Sequence, residues 1–332
     1  MAKARIHFRV VRDDIMVADV CRNRYCCRHR RHCPARDVGG DISGSPCQAW
    51  STAGMRRGHN DKRVICLLAW CRWLLTSRPS WAVHENVRGF KRELFAELVS
   101  ERYDTVFLEV APSDAGFHAI LRPRTYAVCY LRGVVYPAFC MPTVYSALRD
   151  VFAGRGCHDF EAAMISSDEE LRAAENEARR GLRLEALTPH HVPSADWSYL
   201  LTPLQRGYLE RYQARFVGAR AVDLGSNPDH RPKTSRDGVL PTTTTKSSRW
   251  WVCARRRWLL AKELAVLHGY PATPALGECV GVTDAAADRY RFGDIGNCMH
   301  VANVGCVVAV ALACLQPRDG SDSSSIGMAD SE

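Results

Sequence analysis

The sequence predicts an α/β fold, and three observations support this class. Apolar runs of helical length alternate with shorter runs that are rich in β-branched and aromatic residues. Turn-forming residues such as Pro79 separate these runs. With 332 residues, of which 46% are hydrophobic and 24% charged, the chain can bury a substantial core. Alternating helices and strands of this kind favour a sheet with helices packed against it.

The individual elements follow in chain order. Residues 64–76, VICLLAWCRWLLT, are apolar almost all round, which predicts a buried helix. The run WAVHENV from Trp81 predicts a strand with a polar end, and RELFAELVS from Arg92 predicts a second helix. TVFLEV and TYAVCYL predict two further short strands.

The middle of the chain has a different pattern, which predicts an insert or a second lobe. SSDEELRAAENEARRGLRLEAL predicts a charged helix, and DWSYLLTPLQRGYLERYQARF predicts an amphipathic helix with interleaved aromatic residues. Residues 223–250 are rich in turn formers, threonine and basic residues, which indicates a surface segment near a partner. After it, RRRWLLAKELAVLHGYP predicts a helix that stops at Gly269.

The two ends of the chain differ from the rest in composition. Residues 1–40 form a basic, cysteine-rich arm, and residues 317–332 are predicted to be a disordered tail. The arm offers candidate zinc ligands, but their spacing fits no standard pattern, so we predict no metal site. These candidates are Cys21, Cys26, Cys27, His29, His32 and Cys33.

Composition and targeting signals indicate where the protein acts. The N-terminus lacks the long apolar region of a secretory signal, so we expect an intracellular protein, nuclear if eukaryotic, with many unpaired cysteines among its 15. The apolar residues 301–315 fall short of the roughly 20 needed to span a bilayer, which predicts a buried helix and no membrane partner. The net charge of +9 favours polyanionic partners, but a mildly basic soluble enzyme explains it as well.

Cys47 differs from most of the other cysteines, which lie among apolar or basic neighbours. It follows Pro46 in a loop of small residues, GSPCQ, behind a short apolar run. A nucleophilic cysteine needs an accessible thiolate on a rigid loop, and here glycine permits the bend while proline restricts φ. Cys47 is therefore a candidate nucleophile.

Two further motifs place charged residues at the ends of predicted strands. Glu85 stands in ENV at the end of one strand, and Arg122 and Arg124 stand in RPR before another. In a parallel sheet the carboxyl ends share one crevice, which would bring such residues close to Cys47. The alternative is that each is a separate solvated charge at a strand end.

In this order, Pro46-Cys47-Gln48, Glu85-Asn86-Val87 and Arg122-Pro123-Arg124 resemble motifs of the cytosine-5 DNA methyltransferase family. Residues 255–271 look like the family's Arg-x-Leu-Thr-x-x-Glu helix ending in Gly-Tyr-Pro, with Leu260 in place of the usual threonine. IGNCMHVANVGCVVAVALA resembles its last motif, a Gly-Asn pair before a helix of small residues. Together these motifs cover most of residues 40–316.

The resemblance implies a Rossmann-like class I methyltransferase fold and a chemical role for each residue. Cys47 would add to carbon 6 of a cytosine flipped out of the duplex, and Glu85 would hydrogen-bond the ring nitrogen and the amino edge. Arg122 and Arg124 would hold the base oxygen and neighbouring groups. Carbon 5 would then take the methyl group of S-adenosylmethionine, with Pro46 and Asn297 as cofactor contacts.

One family motif is not found where the resemblance expects it. The Phe-x-Gly-x-Gly cofactor loop cannot precede Cys47 in the usual place, because the first glycine of the sequence is Gly39. The 45 residues before Pro46 also cannot hold the usual strands, since one βαβ unit takes about 30 residues. We therefore expect a sheet that lacks its N-terminal strands. A truncated gene model, a split enzyme completed by a second chain and a decayed relative all fit this pattern.

The resemblance also divides the chain. It predicts a catalytic part at residues 41–132, a target-recognition insert at residues 133–238 and a return to the methyltransferase domain at residues 239–316. In the insert, Arg231, Lys233 and Arg236 are candidate contacts to DNA phosphates, unless the insert only braces the fold. Two other functions remain open: a catalytically silent nucleic-acid-binding relative, and an RNA cytosine methyltransferase of the same fold.

Overall fold

The computed structural model describes residues 23–26, 31–34, 38–51, 58–188, 190–244, 249–272 and 292–318. Its strands are β1 (Asn23–Cys26), β2 (Arg31–Pro34), β3 (Gly40–Gly44), β4 (Trp81–Val87), β5 (Tyr103–Val110), β6 (Arg124–Leu131), β7 (Val135–Pro137), β8 (Ala221–Asp223), β9 (Thr234–Ser235), β10 (Trp250–Val252), β11 (Arg257–Trp258) and β12 (Leu315–Pro317). Its helices are α1 (Ile65–Ser77), α2 (Arg92–Val99), α3 (Met141–Phe152), α4 (Asp168–Gly181), α5 (Pro203–Arg215), α6 (Ala261–Leu267), α7 (Phe292–Asn297) and α8 (Val301–Cys314).

The predictions for the two ends of the chain fall mostly on residues that the structure does not describe. In the arm, β1 and β2 pair as an antiparallel hairpin with Tyr25 opposite His32. The candidate zinc ligands Cys21, Cys27 and His29 lie outside the described residues, as does the predicted disordered tail beyond Arg318.

The chain divides into two compact units. The first contains Met1–Val110, Arg124–Ser146 and Val307–Glu332. The second contains Ala111–Pro123 and Ala147–Cys306. The predicted insert at residues 133–238 overlaps mainly with the second unit, and both its boundaries and its role in target recognition stay predictions.

A four-stranded sheet organises the first unit, with the strand order β3-β4-β6-β5. β3 runs parallel to β4, whereas β6 runs antiparallel to both β4 and β5. The expectation of a parallel sheet is therefore wrong for β6. Because β6 is reversed, its first residue, Arg124, pairs with Val87 at the carboxyl end of β4. The reversal brings Arg124 and the ENV motif to one edge of the sheet, whereas a parallel β6 would have separated them.

The α/β class predicted from the sequence is confirmed, because helices pack against a sheet of mixed strand direction. Helices α1 and α2 pack on one face of this sheet. Leu67, Trp70 and Leu74 follow helical spacing on α1, are at most 5% exposed and pack with Phe95 and Val99 of α2. Among the described residues, β3 is an edge strand with a neighbour on one side.

The second unit contains an antiparallel sheet with the order β11-β10-β8-β9, and three of its helices, α4, α5 and α6, are shorter than predicted. The aromatic-rich segment forms α5 only from Pro203 onward, because Thr202 Oγ1 accepts a hydrogen bond from Gln205 N and caps the helix there. The segment before α6 is not helical, since Arg257 and Trp258 pair with β10 as strand β11.

A buried ion pair fixes the start of α6. Arg257 donates two hydrogen bonds to the Glu263 carboxylate, of 2.9 and 2.8 Å, and the Glu263 side chain is fully buried. Glu263 Oε2 also accepts from Leu260 N at 2.8 Å. The glutamate therefore caps the helix at the position where Leu260 has no hydroxyl with which to do so.

The last helix, α8, buries one side of its surface through Val307, Val310, Ala311 and Cys314. After it, β12 pairs antiparallel with β7. The 20 residues Ile295–Cys314 are long and apolar enough to cross a membrane, and 33% of their most apolar stretch is buried. This candidate span is longer than the 15 residues considered from the sequence. A single such helix is weak evidence for a span, because core helices of soluble proteins have the same length and composition.

Candidate active site

Cys47 begins a short helical turn just beyond the end of β3. Pro46 precedes the turn with φ −51° and ψ 120°, and Cys47–Ala49 form a single 3-10 turn. The Cys47 carbonyl accepts hydrogen bonds from Trp50 N at 3.0 Å and Ser51 N at 2.8 Å. The thiol is free and half-buried. Cys47 therefore lies in a hydrogen-bonded turn and is partly exposed, and its role as a nucleophile stays a prediction.

β4 holds the residue before Pro46. The Asn86 amide nitrogen donates to Ser45 Oγ at 3.0 Å, and Val87 N donates to the Asn86 amide oxygen at 2.9 Å. Asn86 is 1% exposed. The asparagine of the ENV motif thus connects the carboxyl end of β4 to the loop that carries Cys47.

Glu85 and Arg124 form a buried ion pair on neighbouring strands. Arg124 Nε lies 2.9 Å from Glu85 Oε1, and the two side chains are 10% and 11% exposed. Among the described residues, Glu85 Oε1 accepts no hydrogen bond of good geometry, although it is buried. The contact is therefore an ion pair without a well-aligned hydrogen bond. A buried polar atom normally has a hydrogen-bond partner. Glu85 Oε1 thus keeps an open acceptor direction, in which it can accept a hydrogen bond from a further donor.

A second arginine, Arg63, is held beside the Cys47 turn, and the sequence prediction missed it. The 3-10 turn Lys62–Val64 packs against the turn Cys47–Ala49. Arg63 Nε donates to Asp61 Oδ1 at 2.7 Å, and its Nη2 contacts Asp61 Oδ2. Its hydrogen bond to Asp61 raises the pKa of Arg63, and Cys47 contributes a smaller electrostatic effect in the same direction. The positive charge therefore lies within electrostatic range of the Cys47 sulfur.

Arg122 belongs to the second unit and is bonded there. Its side chain is 3% exposed, and its two terminal nitrogens donate to the carbonyl oxygens of Gly296 and Cys298. These carbonyls flank Asn297, whose side chain is exposed. The first arginine of RPR thus fixes the Gly-Asn turn, while the second pairs with Glu85 in the first unit.

The three candidate DNA contacts of the second unit have different surroundings. Arg231 and Arg236 are exposed. Lys233 is half-buried, its Nζ donates to the Thr242 carbonyl at 3.1 Å and lies 4.0 Å from Asp223 Oδ2, and burial lowers the pKa of Lys233. Its role as a phosphate contact stays a prediction, but its amino group already has partners within the fold.

The described residues differ in how they suit a metal ion and S-adenosylmethionine. Within the part of the chain that the structure describes, no group of three or more His, Cys, Asp or Glu side chains is placed to hold a metal ion. For S-adenosylmethionine, the exposed Asn297 amide has a donor and an acceptor suited to an amino acid end, whereas Pro46 offers only its carbonyl. Both predicted contacts thus fit the chemistry of the cofactor, but they belong to different units.

In a comparison with known proteins, one segment of the chain matches a family model. Residues 31–106 match the family model described as C-5 cytosine-specific DNA methylase. The chain is similar to the type II methyltransferase M.FnuDI of Fusobacterium nucleatum, with 39% identity over 62 residues, and to M.NgoPII of Neisseria gonorrhoeae, with 40% over 53 residues. These segments are 19% and 16% of this chain, and they span only 18% and 16% of the two relatives.

A comparison of structures finds a weaker likeness over more of the chain. The structure is similar to that of a presumed DNA modification methyltransferase encoded within an E. coli prophage, with a TM-score of 0.45 and 18% identity, over 84% of this chain and 79% of the other.

Proposed function

Residues 31–106 relate this chain to the C-5 cytosine-specific DNA methylase family, and on this premise we propose that it is a DNA (cytosine-5-)-methyltransferase that works through a covalent Cys47 adduct. We propose DNA as its partner and an intracellular location. Because the matched segments cover a small part of the relatives, a second chain that completes the cofactor site belongs to the proposal as an option.

One observation carries the proposal: the end of β3, Glu85 and Arg124 meet at a single edge of the sheet in the first unit. Gly44, the last residue of β3, pairs with Glu85 in register. Arg124 contacts Glu85 at 2.9 Å from the reversed strand β6. A nucleophile, a carboxylate and a guanidinium at one strand edge are the groups that addition to a cytosine ring requires.

The proposed chemistry gives each group a task that its surroundings support. The Cys47 thiolate forms a bond to carbon 6, and the ring electrons shift toward carbon 5. The open acceptor direction of Glu85 Oε1 suits a hydrogen bond from the amino edge of the base or from a protonated ring nitrogen. Arg124 suits the base oxygen, and loss of the carbon 5 proton later releases Cys47.

Two residues are proposed to act on the cofactor side. S-adenosylmethionine, when bound, supplies the methyl group that carbon 5 takes. Asn297 is proposed to contact its amino acid end, with the backbone at Pro46 as a second contact. For Arg122 we propose an indirect contribution, because its terminal nitrogens donate to the carbonyls on both sides of Asn297.

The experiment is trapping with an oligonucleotide that contains 5-fluorocytosine, in the presence of S-adenosylmethionine. Because fluorine at carbon 5 blocks release, the purified chain should form a covalent complex that survives denaturation. Cys47→Ala should abolish the complex, whereas Cys66→Ala, which alters a half-buried cysteine of α1, should leave it unchanged. A complex that persists in Cys47→Ala would remove Cys47 from the proposed role.

Two alternatives are separated by matched measurements. A catalytically silent nucleic-acid-binding relative would bind DNA with strong salt dependence but show no heat of S-adenosylmethionine binding in calorimetry. An RNA methyltransferase of the same fold would form the trapped complex with a structured RNA in preference to duplex DNA. Competition between the two substrates for one trapping reaction distinguishes these outcomes.

A further inference from the structure

A buried histidine, His84, bridges the two serines that precede the Pro46-Cys47 turn. It lies on β4 directly before Glu85 and is 1% exposed. Its Nδ1 lies 2.9 Å from Ser43 Oγ, and its Nε2 lies 3.2 Å from Ser45 Oγ. Both ring nitrogens therefore have partners: Nδ1 contacts Ser43 near the end of strand β3, and Nε2 contacts Ser45 in the loop after it.

The imidazole of His84 is neutral, and its orientation is fixed by hydrogen bonds and neighbouring aromatic rings. Burial lowers the pKa of His84 to about 3, so the ring carries one proton at neutral pH. One serine hydroxyl then donates to the ring, and the other accepts from it. Aromatic rings surround the imidazole: Trp70 at 4.8 Å between centroids, Phe95 at 5.4 Å and Phe90 at 5.5 Å. Trp70 in turn donates to Asp41 at 2.7 Å.

His84 and Asn86 both contact the hydroxyl group of Ser45. Because residues alternate along a strand, His84 and Asn86 share a face of β4, and Glu85 points to the opposite face. Ser45 Oγ contacts His84 Nε2 and also accepts from the Asn86 amide. Ser45 is bonded to Pro46, which has no N–H with which to anchor itself. The position of the Cys47 turn therefore depends on side chains that reach it from β4.

We propose that His84 is a positioning residue that, through Ser43 and Ser45, fixes the turn carrying Cys47 for attack on the base. This inference rests on the proposed function and deepens it, because it gives a polar core residue of β4 a task in that reaction. An ordinary core histidine would explain the burial and the ring stacking. It would not explain why both ring nitrogens contact the two serines on either side of Gly44, the last residue of β3.

The test compares the reactivity of three cysteines that differ in burial within the same chain. His84→Phe keeps an aromatic ring in the stack and removes both hydrogen bonds, and His84→Gln restores one donor and one acceptor. His118→Phe serves as a matched substitution in the second unit. Alkylation by iodoacetamide, followed site by site with mass spectrometry, reports Cys47, the exposed Cys140 and the fully buried Cys129 of the same sheet.

If loss of the His84 hydrogen bonds loosens the Cys47 turn, alkylation of Cys47 should become faster and trapping by the oligonucleotide slower. In His84→Phe, alkylation of Cys47 should rise severalfold while Cys129 stays protected, because the thiol becomes more mobile without unfolding of the sheet. Trapping by the 5-fluorocytosine oligonucleotide should slow by about tenfold, since small misplacements of a reacting group cost one to two orders of magnitude. His84→Gln should recover part of the trapping rate, and His118→Phe should match the wild type.

Other outcomes are equally decisive. Trapping within twofold of the wild type in His84→Phe, with Cys129 protected, would overturn the proposal. If His84→Phe exposes Cys129, Ser45→Ala replaces it as the test, because it removes one hydroxyl and leaves the ring in place. Unchanged alkylation and trapping in Ser45→Ala would then overturn it. If the wild type forms no trapped complex, a methyltransferase that works as a single chain is ruled out, while the alkylation of Cys47 still tests the bridge.

Discussion

Arg124 Nε lies 2.9 Å from Glu85 Oε1, and both side chains are about nine-tenths buried. The contact exists because β6 runs against β4: Glu85 pairs with Tyr126 and Val87 with Arg124, so Arg124 is the diagonal neighbour of Glu85. The pair supplies both charged groups that are proposed to bind the base, and it also links the neighbouring strands β4 and β6. Its two roles can be separated by measurement.

We expect the single substitution Arg124→Met to destabilise the protein strongly, because it leaves the Glu85 carboxylate buried without its partner. Breaking a buried pair on one side costs about 3–5 kcal/mol. The double variant Glu85→Gln with Arg124→Met should recover much of that loss while remaining unable to form the trapped complex. Urea unfolding followed by circular dichroism measures the free energies. Equal stabilities of the single and double variants would contradict the expectation.

Stability should fall as the pH is lowered from 7 to 5. Burial lowers the pKa of His84 to about 3 and that of His300 to about 4, whereas an unfolded histidine has a pKa near 6.5. Below pH 6.5 the unfolded chain therefore binds protons that the native chain does not, and the free energy of unfolding drops by about 1.4 kcal/mol per pH unit for each group.

This stability contribution is fully present above the unfolded pKa and is lost as the pH falls toward the native values. His84→Phe should remove the part that belongs to His84, so its unfolding free energy should depend less steeply on pH between 7 and 5. Urea titrations at several pH values provide the slopes. A slope identical to that of the wild type would mean that His84 is not buried in its neutral form.

The charge of Arg63 should be detectable at Cys47 through the choice of alkylating reagent. The anion iodoacetate gains from a nearby positive charge, and neutral iodoacetamide does not. In Arg63→Gln the ratio of the two rates at Cys47 should fall by roughly twofold, a small effect because exposed charges are screened by salt. Arg63→Lys should keep most of the ratio, and Arg72→Gln on α1 is the control. An unchanged ratio in Arg63→Gln would exclude this influence.

The basic residues of the second unit should separate into two classes. Arg231→Ala and Arg236→Ala should weaken binding to all DNA sequences and reduce the salt slope of log K by about 1 each, as expected for phosphate contacts. Lys233→Ala should in addition lower the stability, because Lys233 Nζ donates to the Thr242 carbonyl at 3.1 Å. Fluorescence anisotropy over a range of salt concentrations and thermal melts distinguish the classes. An unchanged melting temperature for Lys233→Ala would contradict the expected loss of stability.

Arg122→Lys should weaken the Gly296–Cys298 turn, since lysine cannot donate from two separate nitrogens to two carbonyls. We expect a loss of about 1–3 kcal/mol in stability, the usual cost of leaving buried polar groups without partners. Denaturant unfolding checks this value. Arg155→Lys, an exposed arginine of the same unit, provides the baseline. Equal stability of the two variants would show that the bonds of Arg122 contribute little.

Local sequence patterns determined much of the first unit. The apolar run at residues 64–76 and the short β-rich runs became α1, β4, β5 and β6, because periodicity and β-branched content act over a few neighbouring residues. Patterns failed where distant pairing decided the outcome. Arg257 and Trp258 form a strand instead of helix because β10 lies beside them, and no local signal reports that partner.

The candidate site shows the same division. The order of Cys47, Glu85 and Arg124 along the chain, with the residues around them, was enough to single out the three side chains and to suggest their chemistry. The sequence by itself could not show that β6 is reversed, that Arg122 turns to Gly296 and Cys298, or that His84 reaches back across 39 and 41 residues to Ser45 and Ser43. Strand direction and the partners of buried polar groups depend on which segments meet in space, and only the tertiary structure decides that.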